Sequence, residues 1–288
     1  MDMNEAALTP AEAMMLMDLR GAAPAALFKV SAMALLLRRV LQVETKVQRG
    51  WIRTRMITLL RLGQVPALFP HERAVVRLVQ VVLQSQPEGA AVEAVVSAAK
   101  REYGSTLYKY RQDLVLPALL DRRMVEIRRS RWFKIERPAM TPVGLAVLGQ
   151  LNAMLDRGRK VPGWLDTDPR QAALTAAALG PLVLLVSELR PHLARLAAAM
   201  PRRAEGGDAG GGFSGSDGLS VSHDQPGFHH PHDSQDHSLD FGAWDSGAFD
   251  AGAFDGFDNA MSSFDAATDG AGGHGGGGGD GGSSSGGE

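Results

Sequence analysis

The sharpest constraint on what this chain can fold into is a change of composition at residue 204. Residues 1–203 carry all 30 Lys and Arg against 17 Asp and Glu, a net +13. Residues 204–288 carry 15 acids and no Lys or Arg, a net −15, so the formal charge of −2 describes neither part. Glycine divides the same way, with 10 before residue 204 and 24 after it. The C-terminal stretch therefore lacks the apolar volume and periodicity that would offset the entropy of ordering it. One globular domain over the whole length is excluded. The expectation is a basic, apolar body of about 200 residues, enough for its own core, followed over 204–288 by a disordered acidic tail rich in Gly, Ser and His.

Within the body, apolar spacing and caps predict mainly helices with short β-hairpins. Thr9-Pro10-Ala11-Glu12 is a capping box: Thr as N-cap, Pro at the first helical position, Glu three residues on. It predicts a helix to about Arg20, stopped by Gly21. A second helix over 25–38 places Leu27, Val30, Ala34 and Leu37 towards a core. The period then changes to two. Val43, Thr45 and Val47 form one strand and Ile52, Thr54 and Met56 another, with the turn at Gly50. This is a first module over 7–62.

The plan recurs over 68–158. Pro70 opens a helix with Val75, Leu78, Val79 and Val82 on one face, and a second helix is predicted over 90–102, ended by Gly104. Ser105 is the expected cap of a third, bearing Leu107, Tyr110 and Leu114. Val125 and Ile127, a turn at 128–131, then Phe133 and Ile135 predict a hairpin. Thr141-Pro142 starts a closing helix with Leu145, Leu148, Leu151 and Leu155 as its stripe. Three helices, a hairpin and a closing helix resemble a winged-helix domain, a relative of the helix-turn-helix. The first module follows the same plan more loosely. Residues 164–200 read as a helical extension packed on the body. The fold class expected is thus mainly α with short β-hairpins: two winged-helix-like modules, a helical segment and a disordered tail.

Bases concentrate in the second module. Arg122, Arg123, Arg128, Arg129, Arg131, Lys134 and Arg137 cluster at the predicted wing, where guanidinium groups could pair with phosphates. The third helix would offer Lys109, Arg111 and Gln112 to base edges. Two features weigh against DNA as the ligand: Leu114–Leu120, with Pro117 inside it, suits packing, and the attached −15 tail competes with phosphate for the same arginines. The other reading gives the wing a protein partner or the tail itself.

In the tail an aromatic residue directly precedes Asp five times: Trp244-Asp245, Phe249-Asp250, Phe254-Asp255, Phe257-Asp258 and Phe264-Asp265. The first three are spaced by five residues, which matches neither a helix nor a strand face. They read either as a solvated low-complexity repeat or as sticky pairs that dock on a basic, partly apolar surface. His229, His230 and His232 are the weak metal-ligand candidates.

The sequence holds no cysteine, which removes thiolate nucleophiles, disulfides and Cys-based metal sites. The body has two histidines, His71 and His192, neither near a serine elbow or a second His, and no P-loop or dinucleotide fingerprint occurs. The expectation is a protein that is not an enzyme, with no cofactor and no small-molecule substrate. The longest run nearly free of polar residues, 172–186, is broken by Gly180-Pro181 and is shorter than the roughly 20 residues of a membrane span. A soluble, cytoplasmic protein follows as the expectation.

Leu8-Thr9-Pro10-Ala11-Glu12-Ala13, an Ala/Leu helix and a basic hairpin resemble the cytosolic region of a family of predicted bacterial membrane proteins classed as a domain of unknown function. Leu68-Phe69-Pro70-His71-Glu72-Arg73 with its hairpin follows in the same order, and Gly210-Gly211-Gly212-Phe213-Ser214-Gly215 opens a similar Gly/Ser-rich tail. The resemblance covers most of residues 7–215. This chain departs from the family in lacking its extracytoplasmic domain and transmembrane helices. The resemblance implies a membrane-protein partner as an alternative, and no catalytic residues.

Overall fold

The computed structural model describes residues 8–49, 54–129, 136–193, 195, 196, 257 and 261. The protein is mainly helical, with a few antiparallel strands.

Helix α1 (Pro10–Met17) starts at its capping box: the Glu12 amide donates to Thr9 Oγ1 at 3.2 Å and the Thr9 amide donates to Glu12 Oε2 at 2.8 Å. It ends before the expected Arg20 because Asp18 Oδ1 accepts from the Gly21 amide at 2.7 Å and turns the chain early. Helix α2 (Pro24–Leu37) buries ten of its fourteen residues, not one stripe. A helix apolar on every side belongs in the middle of a fold, and α2 packs against α1, the following hairpin and α3 (Pro70–Ser85).

Strands β1 (Leu41–Arg49) and β2 (Thr54–Leu62) pair antiparallel, Leu41 opposite Leu62 and Arg49 opposite Thr54. Both run further from the turn than expected, and the turn at Gly50 lies outside the described residues. The extra length of β2 has a use. Its Leu59 and Leu60 pair with Ala91 and Ala90 of β3 (Ala90–Ala91), so β2 is the middle strand of a sheet shared between the two expected modules.

Helix α3 buries Val75, Leu78, Val79 and Val82, the face read from the sequence. β3 takes the first two residues of the expected 90–102 helix, and α4 (Val92–Tyr103) the rest. The turn 104–107 includes Leu107 with φ +57 and its side chain buried. Ser105 does not cap the next helix; α5 (Tyr108–Tyr110) begins after Leu107 without a side-chain cap. A π turn (Arg111–Val115) leads into α6 (Leu116–Asp121). Pro117 explains the wide turn. Proline has no N–H and its ring crowds the carbonyl four residues back, and a π turn immediately before it lets the helix run on.

Strands β4 (Val125–Arg129) and β5 (Glu136–Met140) form the second hairpin, Val125 opposite Met140 and Arg129 opposite Glu136. Arg128 and Arg129 therefore sit in a strand, not in the expected turn, and the described part of the return strand is 136–140. Residues 130–135 lie outside the described residues.

Helix α7 (Pro142–Gly158) is capped by Thr141, whose Oγ1 accepts from the Gly144 amide at 3.1 Å. Its buried residues are Gly144, Leu151, Leu155 and Gly158. Leu145, expected on the apolar stripe, is 59 % exposed, and Leu148 is half-buried. Gly144 sets the face: a Cβ there would lie 2.1 Å from the Met124 carbonyl oxygen. The helix seats on the hairpin base at that point, and Leu145 projects about 100° away around the helix.

Helices α8 (Val161–Thr167) and α9 (Pro169–Leu179) are followed by 3-10 segments at Gly180–Leu185 and Ser187–His192. The expected extension thus starts earlier, and its described residues from 161 to 192 form four short pieces. Gly180, at φ +53, supplies the break that a side chain would resist. No described helix is long and apolar enough to cross a membrane. One hydrophobic cluster runs from Leu8 to Leu196 and includes Phe257 and Met261.

Candidate interaction surface

The most polar part of the interior is a junction between the two Pro-started helices. Leu8-Thr9-Pro10-Ala11-Glu12 and Leu68-Phe69-Pro70-His71-Glu72 share one plan, and the structure brings their N-termini together. Thr9 Oγ1 and His71 Nε2 are 2.9 Å apart. Glu72 accepts from the Phe69 amide at 3.2 Å and from Arg38 at 2.7 Å. Arg122 lies 3.7 Å from the Glu12 carboxylate, with its guanidinium 5.2 Å from the centre of the Phe69 ring. The Tyr110 hydroxyl reaches Ser31 Oγ at 2.9 Å and the His71 carbonyl at 3.1 Å.

This junction is closed. His71, Glu12 and Glu72 are all buried. Burial, then the positive charge of Arg122 and Arg38, lowers the His71 pKa to about 3, so the ring is neutral. Burial raises the Glu12 carboxyl above its ordinary range, against the opposing pull of Arg122 and the Thr9 hydrogen bonds. Burial also raises the Tyr110 hydroxyl. Glu12 Oε1 and His71 Nδ1 have no hydrogen-bond partner among the described residues. The groups fix α1, α2, α3 and α6 to one another.

Two of the ten basic-surface candidates belong to that interior. Arg122 is the junction residue just described, and Arg111 donates to the Leu19 and Arg20 carbonyls at 2.7 and 3.2 Å, tying down the turn after α1. Lys109 is exposed on α5 and Gln112 is half-buried. Arg123 is exposed, at φ +56, and its carbonyl accepts from Thr141 Oγ1 at 2.7 Å. On the hairpin, Arg128 stands directly opposite Arg137, while Arg128 pairs with Glu126 at 2.6 Å and Arg129 with Glu136 at 3.0 Å. The described part of the wing is therefore less basic than its arginines suggest, because Glu126 and Glu136 neutralise two of them. Arg131 and Lys134 lie outside the described residues.

The structure adds an apolar component that charge counting passed over. Tyr108 is exposed on α5, Ile127 on β4, and Val143 and Leu145 on α7. The first eight residues of α7, Pro142-Val143-Gly144-Leu145-Ala146-Val147-Leu148-Gly149, contain no polar side chain, so this end of the helix is apolar on its outward face as well.

Phe257 and Met261 are helical, each 1 % exposed, and part of the core cluster. The expectation of a tail without structure fails at these two positions. Spacing could have found them: Phe254, Phe257, Met261 and Phe264 fall at steps of three, four and three, a helical stripe beside the five-residue spacing noted above. Trp244, Asp245, Phe249, Asp250, Phe254, Asp255, Asp258, Phe264 and Asp265 lie outside the described residues, as do His229, His230 and His232. No His/Asp/Glu group fit to hold a metal ion occurs among the described residues. No protein-family profile, curated protein or solved structure matches the chain.

Proposed function

We propose that the chain is a non-enzymatic interaction scaffold, working in the cytoplasm, whose basic body binds acidic, aromatic segments. Its own tail is the first such segment, and a protein partner presenting the same chemistry is the second. The observation that carries this reading is the burial of Phe257 and Met261. Both lie more than 50 residues beyond the +13 body, in the acidic tail, and both are covered. Both belong to the same hydrophobic cluster as the residues of the body from Leu8 to Leu196, and this reading takes the body as their cover. Phe257-Asp258 is one of the five aromatic–Asp pairs, and the linker keeps the effective concentration of the others high.

In this reading the body comprises two winged-helix-like modules. The order α3, β3, α4, turn, α5–α6, β4, β5, α7 supports that for the second, although β3 pairs with β2 of the first hairpin. The test compares the intact chain with one ending at Arg203 and with the isolated tail peptide by NMR at low and high salt. Signals of 241–265 should differ between peptide and intact chain. Identical signals refute tail docking.

A second reading, a DNA-binding regulator with the tail as a brake, draws on one observation. The turn 104–107 is followed by exposed Tyr108 and Lys109 on α5, and the arginine-bearing hairpin follows α6 in the chain, which supports a reading helix and a wing. If it holds, residues 1–203 bind random duplex with a steep salt dependence. A triple Arg128→Ala, Arg129→Ala, Arg131→Ala variant that binds as well as the parent sinks it.

A further inference from the structure

We infer that β1 is the seam of a homodimer: two copies pair their β1 strands antiparallel about Thr45 and join their sheets into one. The dimer does not depend on where the tail binds. β1 is the outer strand of its sheet, with β2 on one side only. The Gly63 amide donates to the Val40 carbonyl at 2.9 Å, one step beyond the Leu41–Leu62 pair. Hydrogen-bonded and non-hydrogen-bonded pairs alternate along an antiparallel ladder, so Gln42, Glu44 and Lys46 turn their backbone groups to β2. Val43, Thr45 and Val47 turn theirs out of the sheet, where no described strand takes them. Thr45 is exposed, Val43 is half-buried and Val47 is 59 % exposed. An edge of this kind is a row of open donors and acceptors, a template for another strand.

The occupant is a second copy because the edge is complementary to itself. Gln42-Val43-Glu44-Thr45-Lys46-Val47-Gln48 reads alike from either end, except that Glu44 and Lys46 are opposite in sign. When Thr45 faces the partner's Thr45, Val43 faces the partner's Val47 and Glu44 faces the partner's Lys46, each contact occurring twice by symmetry. The residues whose backbone groups point outward then exchange the hydrogen bonds. Glu44 and Lys46 fall at non-hydrogen-bonded pairs, where opposed side chains stand closest. Moving the centre to Glu44 or to Lys46 would set like charges directly opposite, which is unfavourable. An edge lysine ordinarily discourages pairing, but this register meets it with a glutamate. Within one chain Glu44 pairs with Arg61 at 2.7 Å, and Lys46 with Glu88 at 3.5 Å and Glu44 at 3.9 Å. Their side chains remain 40 % and 38 % exposed, and a carboxylate or an ammonium has room for a further partner. Across the seam the charges alternate: Arg61, Glu44, then the partner's Lys46 and the partner's Glu88.

Sedimentation equilibrium of the full-length protein measures the dimer's dissociation constant, with circular dichroism confirming that each variant is folded. Lys46→Glu or Glu44→Lys alone sets like charges opposite at both symmetry-related pairs and should raise the constant about tenfold or more. The double swap, Glu44→Lys with Lys46→Glu, restores opposite charges in the same register and should recover the dimer. Thr45→Pro removes an outward donor and no ladder bond to β2, so it should abolish the dimer and leave the hairpin. Because the chain has no cysteine, the register is open to cross-linking under mild oxidation. Thr45→Cys should link, its Cα about 5.5 Å from its counterpart. Val47→Cys should not, lying four strand positions, about 14 Å, from its counterpart. A parent that is monomeric at every concentration, a dimer indifferent to the single charge changes, or a folded double swap that stays monomeric overturns the proposal. Protection of the Thr45 amide from exchange in a monomeric parent would give the edge to the tail instead.

Discussion

Truncating Phe257 to Ala should release the tail from the body without unfolding the body. Phe257 is 1 % exposed, and full burial of such a side chain is worth about 1.5–3 kcal/mol. Met261, equally covered, contributes a similar amount. Against this stands the entropy of ordering the chain, about 1–2 kcal/mol per residue fixed. The opposing terms are of the same order, so one truncation decides docking. A loss of about 2 kcal/mol lowers the docked-to-free ratio roughly thirty-fold. The assay is the ε-methyl signal of Met261 in a methionine-labelled chain, followed from the parent to Phe257→Ala, with the melting of the body recorded in parallel. The Met261 signal should move to its position in the free peptide while the body's transition changes little. An unmoved Met261 signal in the variant refutes the anchoring role of Phe257. A collapse of the body's transition would show instead that residue 257 is ordinary core.

Further outcomes follow for the body. Acid should destabilise the body through His71: its folded pKa, near 3, lies below the unfolded value, so the unfolded chain binds the extra proton as pH falls below about 6.5, at a loss of about 2 kcal/mol by pH 5; denaturation midpoints of parent and His71→Gln should converge at low pH. Glu12 works in the opposite direction, its raised pKa favouring the folded state as pH falls towards its ordinary value. Arg122→Ala leaves the buried Glu12 carboxylate without its neighbouring cation and should lower stability by about 3–5 kcal/mol, measured by urea unfolding. Gly144→Ala meets backbone at 2.1 Å and should lower it by about 1–3 kcal/mol, with the largest amide shifts in the hairpin base and the first turn of α7. On the DNA reading, ending the chain at Arg203 should raise duplex affinity, because a polyanion held in the same molecule is removed; unchanged affinity counts against the brake.

Local signals were legible in the sequence wherever a cap or a periodic face acted alone. The Thr9–Glu12 box, the Pro70 helix face and the Thr141 cap all appear where the residues place them. Positions governed by contacts distant in sequence were not. The sequence of β3 reads as helix, and it is a strand only because Leu59 and Leu60 of β2 lie alongside. Leu145 has the spacing of a core residue and is exposed because Gly144 fixes which side of α7 meets the hairpin. For the candidate surface, counting arginines located the wing but overstated its charge, since Glu126 and Glu136 lie within pairing reach only once the register is known. Arg111 and Arg122 look like surface bases in the sequence. Their partners, the Leu19 carbonyl and Glu12, lie about a hundred residues away along the chain.

The two Pro-started helices show why the body behaves as one unit for binding. A Glu at the third helical position ordinarily faces solvent at a helix start, satisfied by its own cap. Here the two starts abut, so Glu12 and Glu72 are buried together, and each carries an arginine from elsewhere: Arg122 from the end of α6 and Arg38 from the end of α2. Separating the first hairpin's half from the second would expose apolar surface and also break both pairs and the Thr9–His71 contact at once. Removing one partner of a buried pair is far more damaging than its presence is stabilising, so the junction resists partial opening more than it adds to stability. A rigid junction of this kind holds α6, and through Arg123 and Thr141 the start of α7, in fixed relation to β2 and α3. Single substitutions at Arg38 and at Arg122 should therefore both loosen amide protection across the junction, whichever half they fall in. Protection lost only in the mutated half would mean that the two halves open independently.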